Sequence, residues 1–395
     1  MSTLQGGLRV CGDWPATTGL AHAGRRLALA LLHSGVELSV STFASGAPRI
    51  PELFPEELRD LEGGPPRMIN LWTLNVNELH VVTDQEMQPE GTRLYHVATW
   101  FWELPVVPEW MQRQIERVSE IWTPTTFVQR AMSRCTDKPV HVVPPVVPIF
   151  HASFQSEELR RRLGLPQDRT VFLTSFDFNS TVARKNPHGT VEAFRRAFGH
   201  QSDKALLVVK AINLDVNPSF AATLSDAIGD LGGMLIDRNM SSAEYENLFH
   251  ACDVFVSLHR SEGFGLGLAE AMAIGKPVIG TAYSGSLDFM SADNSCQVGY
   301  ELREIEAADQ LHNPGMEGTY LAGELWADPD LDQASDWMRM LACDQSLRQR
   351  IGNAAAESMR SSYSESAVAR IALDRLGALA QSLEAGRPRS SQDLG

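Results

Sequence analysis

Eleven short runs of β-branched and apolar residues, separated by longer helical patterns, leave this chain few folds to choose from. Antiparallel strands can be joined by a tight turn, whereas parallel strands need a crossover of about a dozen residues or more, so the spacing reads as repeated βαβ units. The runs are apolar on both faces, which suits parallel sheets covered by helices on either side. Six of them, "LRVCG" (8 to 12), "VELSVSTF" (36 to 43), "MINLWTL" (68 to 74), "RLYHVATW" (93 to 100), "EIWTPT" (120 to 125) and "VHVVPPVV" (140 to 147), predict one sheet. Five more, "TVFLTSFDF" (170 to 178), "ALLVVKAI" (205 to 212), "GMLIDR" (233 to 238), "VFVSLHR" (254 to 260) and "KPVIGTAY" (276 to 283), predict a second. The expectation is an α/β protein of two doubly wound parallel-sheet domains of one architecture.

At 395 residues the chain exceeds what one hydrophobic core usually serves. The prolines of "VVPPVVPIF" between the two series deny the chain a helix and place a hinge there. Domains are expected at 1–150 and 151–365, with a helix over 366–384 packing back on the first domain and a disordered polar tail at 385–395. A net charge of -15, from 34 basic and 49 acidic residues, repels polyanions and argues against a nucleic-acid partner. The N-terminal stretch has no secretory pattern and "LALALL" is too short to span a bilayer, so the expected location is cytoplasmic, with membrane contact at most peripheral. Five scattered cysteines without C-x-x-C spacing read as reduced core residues rather than disulfides or a zinc site.

Chemistry concentrates in "VFVSLHRSEGFGLGLAEAMAIG". After the strand, "SEGFG" reads as a turn and "LGLAEAMA" as a helix; Gly263 and Gly265 let backbone N–H groups face a ligand with no Cβ in the way. Such a strand-to-helix junction is an anion site. Glu262 stands before the turn and Glu270 inside the helix. Singly, each would read as a solvated surface side chain. Carboxylates repel phosphate and accept from hydroxyls, so two of them around a phosphate turn suit a diphosphate with a diol at each end: a nucleotide sugar. In "SFDFNSTVARKNPHGTVEAFRRAF", Arg184 and Lys185 precede a helix that Asn186 can cap, with Pro187 at its first position. Two cations there would stabilise a bound diphosphate and the charge on a leaving group, although a solvated basic pair would look the same. Gly19, between the first strand and its helix, can approach a ligand from the opposite wall or simply serve a turn. Neither region carries G-x-G-x-x-G; Leu268 stands at the third glycine position of "GFGLGLA", which weakens a dehydrogenase reading.

At these residues the sequence resembles the retaining glycosyltransferases of family 4, which have the GT-B fold of two Rossmann-like domains facing a cleft. The E-x7-E element is Glu262 to Glu270, continued by "AMAIGKPVIGTAYSGSLDFM" and joined by Arg184, Lys185, "EIWTPTTFVQRAM" and "WADPDLDQASDWM". The resemblance implies that Glu262 contacts the transferred sugar. It further implies that Gly263, Phe264, Gly265 and Leu266 hold sugar and phosphate through their amides, with Ser284, Gly285 and Gly19 also in the donor site, and that Glu270 takes the ribose hydroxyls. Lys185 with Arg184 would neutralise the diphosphate. In many relatives the phosphate-binding arginine follows a glycine at the end of the preceding strand; this chain has Asp177 near that place, and Arg184 is the available substitute. His96 stands where relatives carry a histidine on the catalytic side, and Trp100, Trp102 and Glu103 follow it.

The activity expected is metal-independent transfer of a hexose, without cofactor, from a nucleotide diphosphate sugar to a saccharide or glycolipid hydroxyl, as in surface polysaccharide synthesis. Asp328-Pro-Asp330 reads as a loop rather than a metal-binding D-x-D. A sugar-nucleotide epimerase on the same fold and a sugar-nucleotide-binding protein without turnover are the alternatives. Base contacts are expected near "IDRNM", 236 to 240, chiefly through backbone.

Overall fold

The computed structural model describes residues 7–65, 67–310 and 319–385. The first sheet contains β1 (Leu8–Gly12), β2 (Leu38–Thr42), β3 (Ile69–Trp72), β4 (Tyr95–Thr99), β5 (Glu120–Thr123) and β6 (Val140–Val142), in the order β2-β1-β3-β4-β5-β6 with every pair parallel. The second contains β7 (Thr170–Asp177), β8 (Ala205–Ile212), β9 (Met234–Ile236), β10 (Val254–Ser257), β11 (Val278–Thr281) and β12 (Cys296–Val298), in the order β12-β11-β10-β7-β8-β9, again parallel. All eleven apolar runs contribute a strand. β12 and the antiparallel pair β13 (Tyr300–Glu304) with β14 (Leu325–Pro329) add to them. Asp328 therefore lies in a strand, paired with Arg260, rather than in the loop expected from sequence, whereas Asp330 is the connecting residue and caps the Leu331–Cys343 helix through two amides.

Each sheet reverses its strand order once, between β1 and β3 in the first and between β7 and β10 in the second. In open parallel sheets ligands gather outside the carboxyl ends of the strands at such a reversal. The loops that leave there are the ones after β1, β3, β7 and β10. Those after β7 and β10 carry Lys185 and Glu262.

The proline-rich segment after β6 passes from one core to the other: Val143 and Val146 pack with the first sheet, Val147 and Phe150 with the second. The Glu365–Ala385 helix lies on the Gly19–His33 helix, sharing a core of Val368, Ala372 and Leu376 with Leu8, Val10 and Leu27. Arg375 fixes it with two bonds of 2.7 and 2.6 Å to Glu120, a fully buried carboxylate on β5. The tail expected to be disordered lies, from residue 386 on, outside the described residues. Removing one partner of a buried pair leaves the other charge uncompensated. Arg375→Met is expected to destabilise the protein by about 3 kcal/mol, read as a lower urea midpoint; Trp122 and Tyr95, which also donate to Glu120, limit the loss.

Three of the five cysteines, Cys11, Cys252 and Cys296, are buried free thiols, whereas Cys343 is exposed.

Candidate functional site

Glu262 lies five residues beyond the end of β10, where the chain turns toward the Leu266–Ala273 helix. Lys185 Nζ donates to its Oε1 at 2.5 Å and Arg184 Nη1 lies 3.2 Å from the same oxygen. Burial alone would push this carboxyl up, but the Lys185 and Arg184 cations outweigh it and hold the group down at about 2. Glu262 is therefore an ionised acceptor throughout the neutral range. It can take hydrogen bonds from hydroxyls but has no proton to give.

Both cations belong to a short helix of their own, Val182–Lys185, and Asn186 caps the following Pro187–Phe198 helix by accepting from Gly189 N. The two are not equivalent. Arg184 is buried beneath Glu262, donating to the carbonyls of Ser261 and Ser180 at 2.8 and 3.0 Å, with Glu103 at 3.8 Å. Burial works against its charge, yet Glu262 first, then Tyr320 and Glu103, raise its affinity for the proton. Lys185 is the more exposed of the pair, so it is the cation that an anion entering the site can reach, with Arg184 behind it.

The turn between the carboxylates is built by close approach. Gly265 has φ of +98°, a conformation that costs glycine nothing, and caps the Leu266–Ala273 helix without any side-chain bond. The first-turn amides thus have no side-chain cap, the condition under which a helix N-terminus can take an anion. Beside them, Ser284 sits at φ +67°, its hydroxyl accepting from Glu262 N at 2.8 Å, and Gly285 N donates to Glu262 O at 2.9 Å. A Cβ on Gly285 would stand 2.1 Å from the Gly263 carbonyl oxygen. Phe264 turns away: its ring packs with Phe289 and Tyr363 in the second core, so only its backbone borders the site.

Glu270 occupies the fifth position of the helix and is mostly buried. Burial pushes its carboxyl up to about 7, against the pull of Arg26, whose Nη1 lies 3.4 Å away on the Gly19–His33 helix of the other domain. Between the ordinary carboxylate pKa and 7 the folded state holds a proton that the unfolded chain has lost, so stability falls as pH rises through that window and the penalty is complete above 7. The size is about 3 kcal/mol. Glu270→Gln removes the effect: its urea stability relative to the native protein is expected to improve by up to about 3 kcal/mol between pH 4.5 and 8. A variant whose difference from native stays constant with pH would contradict this assignment.

The first domain closes directly on this loop. Thr125 donates to Gly263 O at 2.9 Å, Thr126 gives two bonds of 2.7 Å to Asp288, and Ser261 donates to the Glu103 carbonyl. A Cβ on Gly263 would lie 2.8 Å from Trp102 O, and one on Gly19 would meet Leu266 at 3.5 Å. Gly19 therefore faces the site from the opposite wall, as the first residue of its helix. Tyr320 stacks on Trp102, its hydroxyl donating to Glu103 at 3.0 Å.

His96 is not brought to this cluster. It stands second in β4, toward the amino end of a parallel strand, while the cleft lies beyond the carboxyl ends. Trp72 Nε1 donates to its Nδ1 at 3.0 Å, Gln88 meets its Nε2 at 3.3 Å, and burial with Arg9 and Arg117 pushes it down to about 4. It is a neutral core histidine. Trp100 is likewise buried in the first core; Glu103, seven residues beyond His96, is the one that reaches Arg184. Arg26 escaped the sequence reading because nothing local links residue 26 to 270; Glu103 stands in that reading beside His96, but its link to Arg184 spans 81 positions and leaves no local trace.

Among the described residues no group of three or more His, Cys, Asp or Glu is arranged to hold a metal ion, and no helix is long and apolar enough to cross a membrane. Residues 155–308 match the family model of glycosyl transferases group 1. No curated protein matches the chain. Among solved structures, sucrose-phosphate synthase from Thermosynechococcus elongatus aligns with a TM-score of 0.67 at 15% identity, over 96% of this chain and 100% of that one. HepE from Anabaena, solved in complex with UDP-glucose, aligns at 0.68 and 12%, over 94% and 100%. A glycosyltransferase from Rickettsia africae aligns at 0.66 and 14%, over 95% and 99%. The chain has the GT-B fold: two parallel six-stranded sheets with flanking helices.

Proposed function

We propose that the protein transfers a hexose from a nucleotide diphosphate sugar to an acceptor hydroxyl, with retention at the anomeric carbon. The observation that carries this reading is the Lys185–Glu262 contact of 2.5 Å beside a helix N-terminus that no side chain caps, with Glu270 in the same helix. The diphosphate lies on the amides of Leu266 and its neighbours, Glu270 accepts from the ribose diol, and the ionised Glu262 accepts from hexose hydroxyls. The match of residues 155–308 to the group 1 model, and a neighbour of the same fold solved with UDP-glucose, support the donor class.

In the transfer step the bond from the anomeric carbon to the diphosphate oxygen breaks, its electron pair leaving with the diphosphate. The acceptor oxygen bonds to the same face of that carbon and its proton passes to the departing diphosphate. No protein nucleophile or acid is needed, which agrees with a Glu262 that has no proton to give. Lys185 meets the developing negative charge as the sugar leaves. Lys185 with Arg184 supply the positive charge that this step needs, so turnover is expected to survive EDTA. The acceptor, a saccharide or glycolipid, enters from the first domain past Trp102 and Glu103.

Incubating the protein with UDP-, GDP- and ADP-hexoses, with and without saccharide acceptors, tests the reading. Acceptor-dependent release of the nucleoside diphosphate, with an α-linked product from an α-linked donor, is the expected result. Free epimerised donor without acceptor would make the protein an epimerase; binding with neither transfer nor hydrolysis would make it a binding protein.

A further inference from the structure

Lys210 is a buried lysine that the mechanism above does not use. It lies inside β8, only 3% exposed, in a run that is otherwise apolar. Among the described residues its ammonium has one hydrogen bond, to the carbonyl of the adjoining Ala211 at 3.1 Å, and no ion pair. An ammonium carries three donors, and a buried polar group without partners costs free energy. Burial first, then Arg238, push it down to about 8, while Asp177 and Asp237 work against that from a distance. Neither carboxylate is within ion-pair or hydrogen-bond reach of Lys210: Asp177 takes Asn213 at 2.7 Å, and Asp237 acts only from a distance.

Its place is telling. Lys210 is level with Ser175 on β7 and Ile236 on β9, so these three side chains share one face of the sheet. On that face Ser175 meets the Tyr245 hydroxyl at 3.3 Å, and Tyr245 lies close enough to feel the charge of Glu270. The Leu266–Ala273 helix starts after β10, which is two strands from β8, or about 10 Å at ordinary strand spacing. With the diphosphate on that helix and the ribose on Glu270, the base extends over β8 and β9.

We propose that Lys210 is a specificity-determining residue that donates to the exocyclic carbonyl of the donor's base, selecting uracil or guanine over bases with an amino group at that position. The inference rests on the donor site proposed above. A carbonyl oxygen supplies the acceptor that the ammonium lacks. The amino group of cytosine or adenine would set donor against donor and leave the ammonium with its Ala211 bond alone. Discrimination of this kind is large where a site's own polar group is stranded by the wrong ligand.

The test is calorimetric titration with UDP, CDP, GDP and ADP of the native protein and of Lys210→Met, a substitution of similar length that leaves no buried charge. The native protein is expected to bind UDP at least about tenfold tighter than CDP, or GDP than ADP, the scale of one hydrogen bond to a charged group. In Lys210→Met that ratio is expected to fall to about one, the loss being confined to the oxo-base partner of the pair. Comparing UDP with CDP on the native protein needs no variant and tests the same point if Lys210→Met folds poorly. Native protein that binds these nucleotides without preferring the oxo base overturns the inference and leaves the donor site standing, as does a variant that weakens all four equally. Native protein that binds none of them overturns both.

Discussion

Lys185→Met is expected to lower the rate of sugar transfer on the order of 10³-fold at saturating donor, the scale of losing one group aimed at a developing charge. The fold should survive, because Arg184 stays 3.2 Å from Glu262 and keeps the buried carboxylate paired. Lys185 is the more exposed cation and is the one that the proposed mechanism sets against the diphosphate, whereas Arg184, bound to the Ser261 and Ser180 carbonyls, lies beneath. An interaction made mainly as charge develops on the leaving group lowers kcat more than it raises KM. Kinetics that instead raised KM alone would assign Lys185 to ground-state binding of the donor.

Gly285→Ala is expected to cost more stability than any other single methyl in the site, about 4 kcal/mol or more, with loss of donor binding. The added Cβ would stand 2.1 Å from the Gly263 carbonyl oxygen and 2.8 Å from that of Glu262. Both obstacles are backbone, so no rotamer change relieves the clash; the 283–286 turn has to move off the Glu262 loop. That movement breaks the Gly285 N–H bond to Glu262 O and the Ser284 hydroxyl's bond to Glu262 N. It also shifts Gly263, whose carbonyl accepts from Thr125 of the first domain. Gly275→Ala makes a useful contrast, since it has a positive φ of 77° but its Cβ would find its nearest atom at 3.6 Å, so only backbone strain opposes it. Thermal melting of both variants separates steric collapse of the site from the general penalty of replacing glycine.

The strands were legible because each is a run of β-branched and apolar residues, most of them buried on both faces, a pattern that survives without tertiary information. β12 is short and β13 mostly exposed, so neither announces itself. The Glu262-to-Glu270 element could be read because a strand, a glycine turn and a helix follow one another within a few residues. Arg26 could not, since 244 residues separate it from Glu270 and only the docking of two domains joins them. Lys210 did leave a signal, a lone lysine inside "ALLVVKAI", an apolar run that buries both faces of its strand. His96 is the opposite case: the resemblance offered it as a catalytic-side histidine, but its position early in β4 puts it at the amino end of a parallel strand, away from the Glu262 cluster.

The most direct test of the donor site is a thermal-shift titration with UDP-, GDP- and ADP-glucose on the native protein and on Glu270→Ala. A ligand at a hundredfold excess over its dissociation constant stabilises the folded state by about 2.7 kcal/mol, ample to move the melting midpoint. The account predicts a concentration-dependent rise with at least one of the three, and a much smaller rise for Glu270→Ala at the same concentration. No rise with any donor, or an equal rise in the variant, would contradict a nucleotide-sugar site on the Leu266–Ala273 helix.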